Sequence, residues 1–270
     1  MSKILNYFNS TTKSMFLKEL NRRRGSRYWW HHQNGHDYLP SIYRDLSRHE
    51  RRLILDWYTD TDDRFPGGAG ESCIPALSII QGFIDGNGID TIVQCGHYHG
   101  YSSILIGILL RNMRKRHGMI SMDINRDVTA YSQSWILKAG LGEYVKLVTG
   151  SSTDESMPSV ARHYFGRKDI NLVFIDSSHT YSQTVLELEF WFNELAPGGF
   201  LVFHDASAFA KRFCSENRGG VYEALADWRI GERGSMLWIN KTSKEPFNNI
   251  DFPPYSDVCG LAVIHKNTEC

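Results

Sequence analysis

Two aspartates and a histidine near the ends of neighbouring predicted strands have the clearest capacity for chemistry. Asp176 ends the apolar run Leu172–Asp176, His179 follows three residues later, and Asp205 comes directly after the run Phe200–His204. Adjacent parallel strands end at one rim of a sheet, where two carboxylates can hold a hard divalent cation through oxygen. Imidazole has a pKa of about 6.5, which suits it to remove a proton at neutral pH. We therefore predict a catalytic cluster of Asp176, His179 and Asp205, whose carboxylates either bind a metal or orient the histidine and the substrate.

A glycine-containing turn follows the first predicted strand. Residues 94–102 read QCGHYHGYS, so their spacing G-x-x-x-G does not match the dinucleotide fingerprint G-x-G-x-x-G. Glycine lets a backbone approach a ligand closely, and the N-terminus of the following helix favours an anionic group. An ordinary turn between a strand and a helix explains the same residues.

Asp123 lies at the end of the next predicted strand, 23 residues after Gly100. A carboxylate in this crevice can accept hydrogen bonds from both ribose hydroxyls of a nucleoside, as in nucleotide-binding doubly wound folds. A helix N-cap is the structural alternative. The position at the strand ends favours the ligand.

Short β-rich apolar runs alternate with helical patterns from residue 74 onward. This order predicts an α/β fold, doubly wound, with a mostly parallel seven-stranded sheet and helices on both faces. The predicted strands are Thr91–Cys95, Met119–Asp123, Val145–Thr149, Leu172–Asp176, Phe200–His204, Met236–Ile239 and Leu261–Ile264, and the helices lie near 102–116, 127–139, 154–165, 181–195 and 207–228. The last two strands have no helix between them, which predicts an antiparallel excursion at one edge of the sheet.

Residues 1–70 form a predicted N-terminal helical and loop extension, and residues 71–270 form the main domain. Residues 1–60 carry 11 basic and 6 acidic side chains, with an arginine cluster at 22–27 beside aromatic residues. Leu46, Leu53 and Trp57 fall on one stripe of a predicted helix. We interpret the extension as a cap over the site or a contact in a homodimer. Nucleic-acid binding is the weaker reading of its arginines.

The composition excludes several classes of protein. The chain has 270 residues, 41% of them hydrophobic, and 30 basic against 30 acidic side chains, so neither disorder nor a strongly basic nucleic-acid binder is indicated. Five cysteines without a CxxC pair favour a reducing cytoplasm over a disulfide scaffold or a zinc ribbon. Neither a signal peptide nor an apolar run long enough to cross a membrane is visible.

Taken in order, the motifs resemble those of class I S-adenosylmethionine-dependent methyltransferases, which have a Rossmann-like fold. They are most similar to the small-molecule O-methyltransferases typified by catechol O-methyltransferase and macrocin O-methyltransferase. The run GHYHGYS at 96–102 resembles the turn that embraces the methionine end of the cofactor, and MDINRD at 122–127 resembles the ribose-binding segment. VTGSSTDESMP at 148–158 resembles the adenine contact, and LAPGGFLVFHD at 195–205 resembles the turn and fifth strand. The resemblance covers about residues 74–265.

This resemblance implies a cofactor, a metal and a base. It implies S-adenosylmethionine as the cofactor, with Mg²⁺ or another divalent cation at Asp176 and Asp205. His179 falls where catechol O-methyltransferase places its catalytic lysine, which implies a general base. The implied cofactor-binding residues are Gln94, Gly96, Tyr98, Gly100, Ser102, Asp123, Ser151, Ser152 and Asp176.

Two positions depart from the pattern of this group. Gln94 replaces the acidic residue close to the cofactor's amino group, and Ala206 replaces an Asn or Asp metal ligand. His204 is a poor substitute ligand, because alternation along the strand predicts that its side chain faces the other way. A methyltransferase-like binding or assembly protein that does not turn over is therefore the alternative reading.

The expected activity is O-methylation of a hydroxyl on a small molecule or a saccharide. The residues expected to select the acceptor are Arg212, Arg218, Tyr222, Phe252, Tyr255 and those of the N-terminal extension. Cys95, His97 and His99 do not form a plausible metal site, because alternate residues of a tight turn point apart and the set is short of four ligands.

Overall fold

The computed structural model of the protein describes residues 40–66, 70–72, 74–244 and 257–269. Helices α1 to α8 are Ser41–Arg44, Arg48–Arg64, Ile74–Asn87, Tyr101–Asn112, Arg126–Lys138, Met157–Tyr164, Tyr181–Glu194 and Gly220–Asp227. Strands β1 to β7 are Ile92–Cys95, Met119–Asp123, Val145–Thr149, Ile170–Ile175, Leu195–His204, Gly234–Ile239 and Leu261–Lys266. Each predicted strand is confirmed, although β5 begins at Leu195 instead of Phe200.

The seven strands form one sheet in the order β3-β2-β1-β4-β5-β7-β6. The pairs among β1 to β5 are parallel, whereas β7 runs antiparallel to both β5 and β6. This confirms the doubly wound fold and the antiparallel excursion at one edge. Cys95 pairs with both Met122 and Ile175, and Ile175 pairs with Phe203. Because these strands end in register, the residues that follow them meet at one edge of the sheet.

Both faces of the sheet are covered by helices, so every residue of β4 except Asn171 is buried. Leu172 and Phe174 join a core cluster with α1 to α5, whereas Val173 and Ile175 join a second cluster with α6 to α8. Successive side chains of a strand point to opposite faces, which explains this division. Each such buried side chain contributes about 1.5–3 kcal/mol of transfer free energy to stability. Among the described residues, no helix has both the length and the apolar character needed to cross a bilayer.

The described part of the N-terminal extension packs into the first of these clusters. Ser47 and Glu50 form a capping box at the start of α2. Leu53 and Trp57 of the predicted stripe are buried on this helix, whereas Leu46 is buried just before its N-cap. The indole nitrogen of Trp57 donates a hydrogen bond to the carbonyl oxygen of His99 at 2.9 Å. Helix α2 therefore supports the glycine turn after β1. The arginine cluster at 22–27 lies outside the described residues.

The prediction of a continuous helix near 207–228 is wrong. The chain forms a short 3₁₀ helix at Ala210–Phe213 and then α8 at Gly220–Asp227. Gly220 has φ +55°, and a Cβ at this position would collide with the carbonyl oxygen of His179. Gly220 begins α8, so helical geometry is interrupted between Phe213 and this glycine.

Candidate active site

A cavity of about 630 Å³ opens at the carboxyl edge of strands β1 to β4. This volume lies within the range of about 300–1,000 Å³ that is typical of small-molecule sites. The predicted residues that line it are Gly96, Tyr98, Ser102, Asp123, Ser151, Ser152, Asp176 and His179. The predicted residues Gln94, Gly100 and Asp205 do not line the cavity. They contact residues that do.

The backbone of the glycine turn lies against Asp176, the residue that follows β4. Gly96 has φ +84°, and a Cβ there would collide with the carbonyl oxygen of Asp176. Only glycine tolerates both the positive φ and this contact. Gly100 is the N-cap residue of α4, and its amide donates to the carbonyl oxygen of His97 at 2.7 Å. The turn therefore lies directly beside the residues that follow β4.

Gln94 supports the turn from below instead of reaching the cavity. Its side chain is fully buried, and its amide nitrogen donates to Gly96 O at 2.8 Å and to Ser102 Oγ at 2.7 Å. Its amide oxygen accepts from Ser103 Oγ at 2.9 Å. The hydrogen-bonding groups of Gln94 are thus engaged within the fold, where they support the turn, and its direct contact with the cofactor stays a prediction.

Asp123 joins β2 to the glycine turn. One carboxylate oxygen accepts from the amide of Tyr98 and the other from the amide of Asn125, each at 3.0 Å. Asn125, and not Asp123, caps α5. The N-cap alternative for Asp123 is therefore wrong. The next side chain, Ile124, lines the cavity although it is 79% exposed, which provides an apolar surface for a flat ligand.

Glu187 is a residue of this wall that the sequence analysis missed. Its carboxylate, on α7, is fully buried and accepts hydrogen bonds from Ser152 and Ser177. Burial raises the pKa of Glu187, and these hydroxyl donors oppose the increase. One signal was available, since Glu187 falls on the apolar stripe of α7 between the buried Thr184 and Trp191.

The predicted catalytic cluster forms at one end of the cavity. His179 Nε2 lies 2.8 Å from Asp205 Oδ2, and Ser72 Oγ donates to Asp176 Oδ2 at 2.9 Å. Asp176 and His179 line the cavity, whereas Asp205 is buried behind them. Because an ionised carboxylate only accepts hydrogen bonds, His179 donates through Nε2 and its lone pair lies on Nδ1.

His204 belongs to this cluster, contrary to the prediction from strand alternation. Its Nδ1 lies 3.4 Å from both Asp176 Oδ1 and Asp205 Oδ2, and its Nε2 lies 2.9 Å from Asp257 Oδ2. The strand ends at His204, and Asp205 adopts φ +56°, so strict alternation no longer determines where these side chains point. Asp257, which the sequence analysis also missed, lies in the segment before β7.

Charges within this cluster shift its pKa values in opposite directions. Burial lowers the pKa of His179, but its hydrogen bond to Asp205 and the nearby carboxylates outweigh burial and raise the pKa above 6.5. For His204 burial is likewise opposed by three carboxylates, and the net pKa lies well above the usual range. Burial would raise the pKa of Asp205, yet His204 and His179 hold it well below its usual range. Asp205 is therefore a carboxylate at neutral pH.

The same residues offer ligands for a cation. One ligand atom each from Asp176, His179 and Asp205 lie within 4.8 Å of one another. Two carboxylate oxygens with one imidazole nitrogen fit a divalent transition metal better than Mg²⁺, which prefers oxygen alone. Ala206 supplies no side-chain ligand, and its carbonyl oxygen accepts from Trp238 Nε1 at 2.7 Å.

His97 and His99 stabilise the glycine turn. The ring nitrogens of His97 lie 3.2 Å from Ser121 Oγ and 3.1 Å from Thr129 Oγ1. Burial lowers the pKa of His97 to about 4, so its imidazole is neutral. His99 stacks on Phe65 with the ring centroids 3.9 Å apart. Both imidazole rings are therefore packed within the fold around the turn.

The residues expected to select the acceptor differ in their surroundings. Arg218 forms ion pairs with Glu223 and Asp227 and stacks over Tyr181, while the guanidinium of Arg212 stacks over the ring of Phe209. Tyr222 packs against Trp238, with the ammonium of Lys211 over its ring. Phe252 and Tyr255 lie outside the described residues.

Comparison with known proteins agrees with this site. Residues 93–206 match a family model described as a methyltransferase domain. The matched segment begins in β1, ends just after Asp205, and contains the glycine turn, Asp123 and His179. Residues 93–206 are therefore similar to methyltransferase domains.

Solved structures of methyltransferases share the fold of this chain. An O-methyltransferase from Bacillus cereus in complex with SAH is 14% identical with a TM-score of 0.58, over 82% of this chain and 92% of that chain. A SAH-bound methyltransferase from Podospora anserina is 15% identical with a TM-score of 0.60, over 87% and 91%. TomG from Streptomyces achromogenes, an O-methyltransferase involved in tomaymycin synthesis and solved with SAM, is 15% identical with a TM-score of 0.57, over 80% and 89%. Comparison with curated protein sequences gives no significant match.

Proposed function

We propose that the methyltransferase domain transfers a methyl group from S-adenosylmethionine to a hydroxyl of a small molecule or saccharide, with His179 as the general base. The contact of 2.8 Å between His179 Nε2 and Asp205 Oδ2, at one end of the cavity, carries this proposal. A carboxylate that holds one imidazole nitrogen leaves the other nitrogen to accept a proton from an acceptor hydroxyl.

The walls of the cavity support a defined placement of the cofactor. By the resemblance to O-methyltransferases, the turn 96–102 holds the methionine end, Asp123 holds the ribose, and Ser151 and Ser152 contact the adenine. Ile124 provides an apolar surface beside Asp123 for one face of the base. Bound S-adenosylmethionine would supply an electrophilic methyl group on a sulfonium sulfur.

His179 then performs the proton transfer. Its Nε2 donates to Asp205, which keeps the Nδ1 lone pair available at the cavity end. Its Nδ1 would take the hydroxyl proton of the acceptor as the methyl group passes from sulfur to oxygen. The imidazolium would then return that proton to water. Asp205 stabilises that imidazolium while it exists.

We propose that Asp176 and Asp205 with His179 also hold a divalent cation in one state of the protein. When bound, the cation would polarise the acceptor oxygen and lower its pKa. Calorimetric titration of EDTA-treated protein with MnCl₂ and MgCl₂ tests this, with Asp176→Asn as the variant that should lose binding. If neither metal binds, the role of the two carboxylates is to orient His179 and the substrate.

The location and the oligomeric state of the protein are further proposals. We propose a cytoplasmic location, since the described cysteines Cys95, Cys214 and Cys259 are free thiols. The homodimer and the covering role of the N-terminal extension stay predictions. Analytical ultracentrifugation of the full chain and of a chain lacking residues 1–39 would measure whether the extension is a dimer contact.

The proposal is tested first by cofactor binding. Titration with S-adenosylmethionine and S-adenosylhomocysteine should show binding to the wild type, and Asp123→Ala should abolish it. A panel of phenolic and sugar hydroxyls is then screened for release of S-adenosylhomocysteine, with His179→Ala as the inactive control. Binding without turnover across the panel would support the alternative of a catalytically degenerate binding or assembly protein. Absence of cofactor binding would contradict the proposed methyl transfer and would likewise favour a degenerate binding fold.

A further inference from the structure

The buried carboxylate of Glu187 is a titratable group that the proposed methyl transfer does not use. It is fully buried on α7, and Lys and Arg side chains of the described residues form no ion pair with it. A buried carboxylate is costly to the fold unless it is satisfied by hydrogen bonds. Here hydroxyl groups satisfy it, and both of these groups belong to the cavity wall.

The direction of these hydrogen bonds is determined by the chemistry of the groups. Ser177 Oγ lies 2.6 Å and 2.7 Å from the two oxygens of Glu187, and Ser152 Oγ donates to the first of these oxygens. A carboxylate only accepts, and a serine hydroxyl has a single proton. Both serine protons are therefore directed at Glu187. The hydroxyl oxygens of Ser152 and Ser177 can only accept a hydrogen bond from any other partner. Ser152 already accepts one bond, from Gln183 Nε2 at 3.2 Å.

These two serines lie close together in the cavity wall, since both donate to the same carboxylate oxygen of Glu187, and Ser152 belongs to the segment assigned to the adenine. Ser152 follows β3 and Ser177 follows β4, and both line the cavity. An adenine edge carries an exocyclic amino group, which is a hydrogen-bond donor, whereas the deaminated base carries a carbonyl oxygen at that position. Serine oxygens that can only accept are complementary to the amino group and oppose the carbonyl oxygen.

We propose that Glu187 is a positioning residue that fixes Ser152 and Ser177 as hydrogen-bond acceptors and thereby selects a ligand whose base carries an amino group. Glu187 does not touch the ligand itself, because its side chain is fully buried behind the serines. This inference rests on the proposed function and adds to it the means by which the nucleobase is recognised.

The test compares two ligands on the full chain by calorimetry. S-adenosylhomocysteine carries the amino group, and S-inosylhomocysteine carries the carbonyl oxygen in its place. The wild type should prefer the first by about tenfold or more, since an unsatisfied polar group costs about 1–3 kcal/mol. In Glu187→Gln the amide nitrogen donates to one serine and turns its proton toward the cavity, so the preference should fall to about threefold or less.

Glu189→Gln is the matched control, because Glu189 lies on the same helix and bonds to Trp228 outside the cavity. It should retain the preference of the wild type. Should Glu187→Gln fail to fold, Ser177→Ala provides the second variant, since it removes one acceptor and should also reduce the preference.

Three results would overturn the inference. If Glu187→Gln weakens the binding of both ligands equally, so that the ratio of their Kd values is unchanged, Glu187 has a purely structural role. An unchanged ratio in Ser177→Ala, measured where Glu187→Gln does not fold, would show the same. Equal affinity of the wild type for the two ligands would also overturn the inference. If the wild type binds neither ligand, the proposed function itself fails, which is a different outcome.

Discussion

His179 and Asp205 form the contact on which the proposed proton transfer depends. The sequence analysis placed both residues at the edge of the sheet, and the structure adds their bond through Nε2. It also adds His204 and Asp257 behind them. Single substitutions in this cluster should therefore separate catalysis from cofactor binding.

His179→Ala should lower kcat by about 10²–10⁴-fold, the usual contribution of a general base, with little change in the Kd of S-adenosylhomocysteine. Release of S-adenosylhomocysteine with an active acceptor measures the first quantity, and calorimetry measures the second. The exposed His163 on α6 offers a control, since His163→Ala removes an imidazole far from the cavity lining. An equal loss of kcat in both variants would contradict a specific role for His179.

The pH dependence of the reaction should follow the protonation of His179, whose pKa depends on the charge of Asp205. His179 must be neutral to accept a proton, and its pKa is raised above 6.5 by Asp205 despite burial. The value of kcat/KM should therefore rise with pH through a midpoint above 6.5. In Asp205→Asn the attraction is lost while burial persists, so the midpoint should move to lower pH. Initial rates across a pH series measure the shift, and an unchanged midpoint would argue against the assigned base.

At the scale of elements, the glycine turn depends on its close contact with the end of β4. Helix α2 supports the same turn through the bond from Trp57 to His99 O. The length and spacing of the turn were visible in the sequence. Its closeness to Asp176 was not, because the contact joins strands that are distant along the chain and adjacent in the sheet.

Gly96→Ala should reduce the affinity for S-adenosylhomocysteine by at least about tenfold, because a Cβ there collides with the carbonyl oxygen of Asp176 and displaces the cavity wall. Gly140→Ala is a matched control, since Gly140 also has a positive φ, +65°, but has open space around it. Backbone strain should cost each variant about 1–2 kcal/mol of stability, and the collision adds to this cost in Gly96→Ala. Only Gly96→Ala should lose ligand affinity, and equal affinities in the two variants would show that the contact with Asp176 is unimportant.

For the whole molecule, the buried neutral His97 predicts a loss of stability in weak acid. Its pKa is about 4 in the folded protein and about 6.5 when unfolded, so the unfolded state binds the proton first as the pH falls. The free energy of unfolding should therefore decrease by about 3 kcal/mol between pH 6.5 and pH 4. Urea unfolding at a series of pH values measures this decrease.

His97→Gln should flatten that acid dependence, because glutamine keeps polar groups at the site but does not titrate. His179 and His204 contribute with the opposite sign, since their raised pKa values make their stabilisation fall as the pH rises through those values. They therefore do not account for the decrease in weak acid. A variant at His97 with the same acid dependence as the wild type would contradict this assignment.

The sequence by itself determined the order of strands and helices and the list of residues at the strand ends. Hydrophobic periodicity and strand-to-helix turns are local properties, and a doubly wound sheet brings its strand ends together whatever the loops contain. This is why Asp123, Asp176, His179 and Asp205 could be named without the structure.

Only the tertiary structure decided what those residues touch. Gln94 lies under the turn, His204 faces the catalytic cluster, and Glu187 holds two serines of the wall. Each contact depends on the distance and direction between side chains from separate elements, and departures such as the positive φ of Asp205 change those directions. A pattern along the chain carries the identity and spacing of residues, whereas hydrogen-bond partners are set by packing in three dimensions.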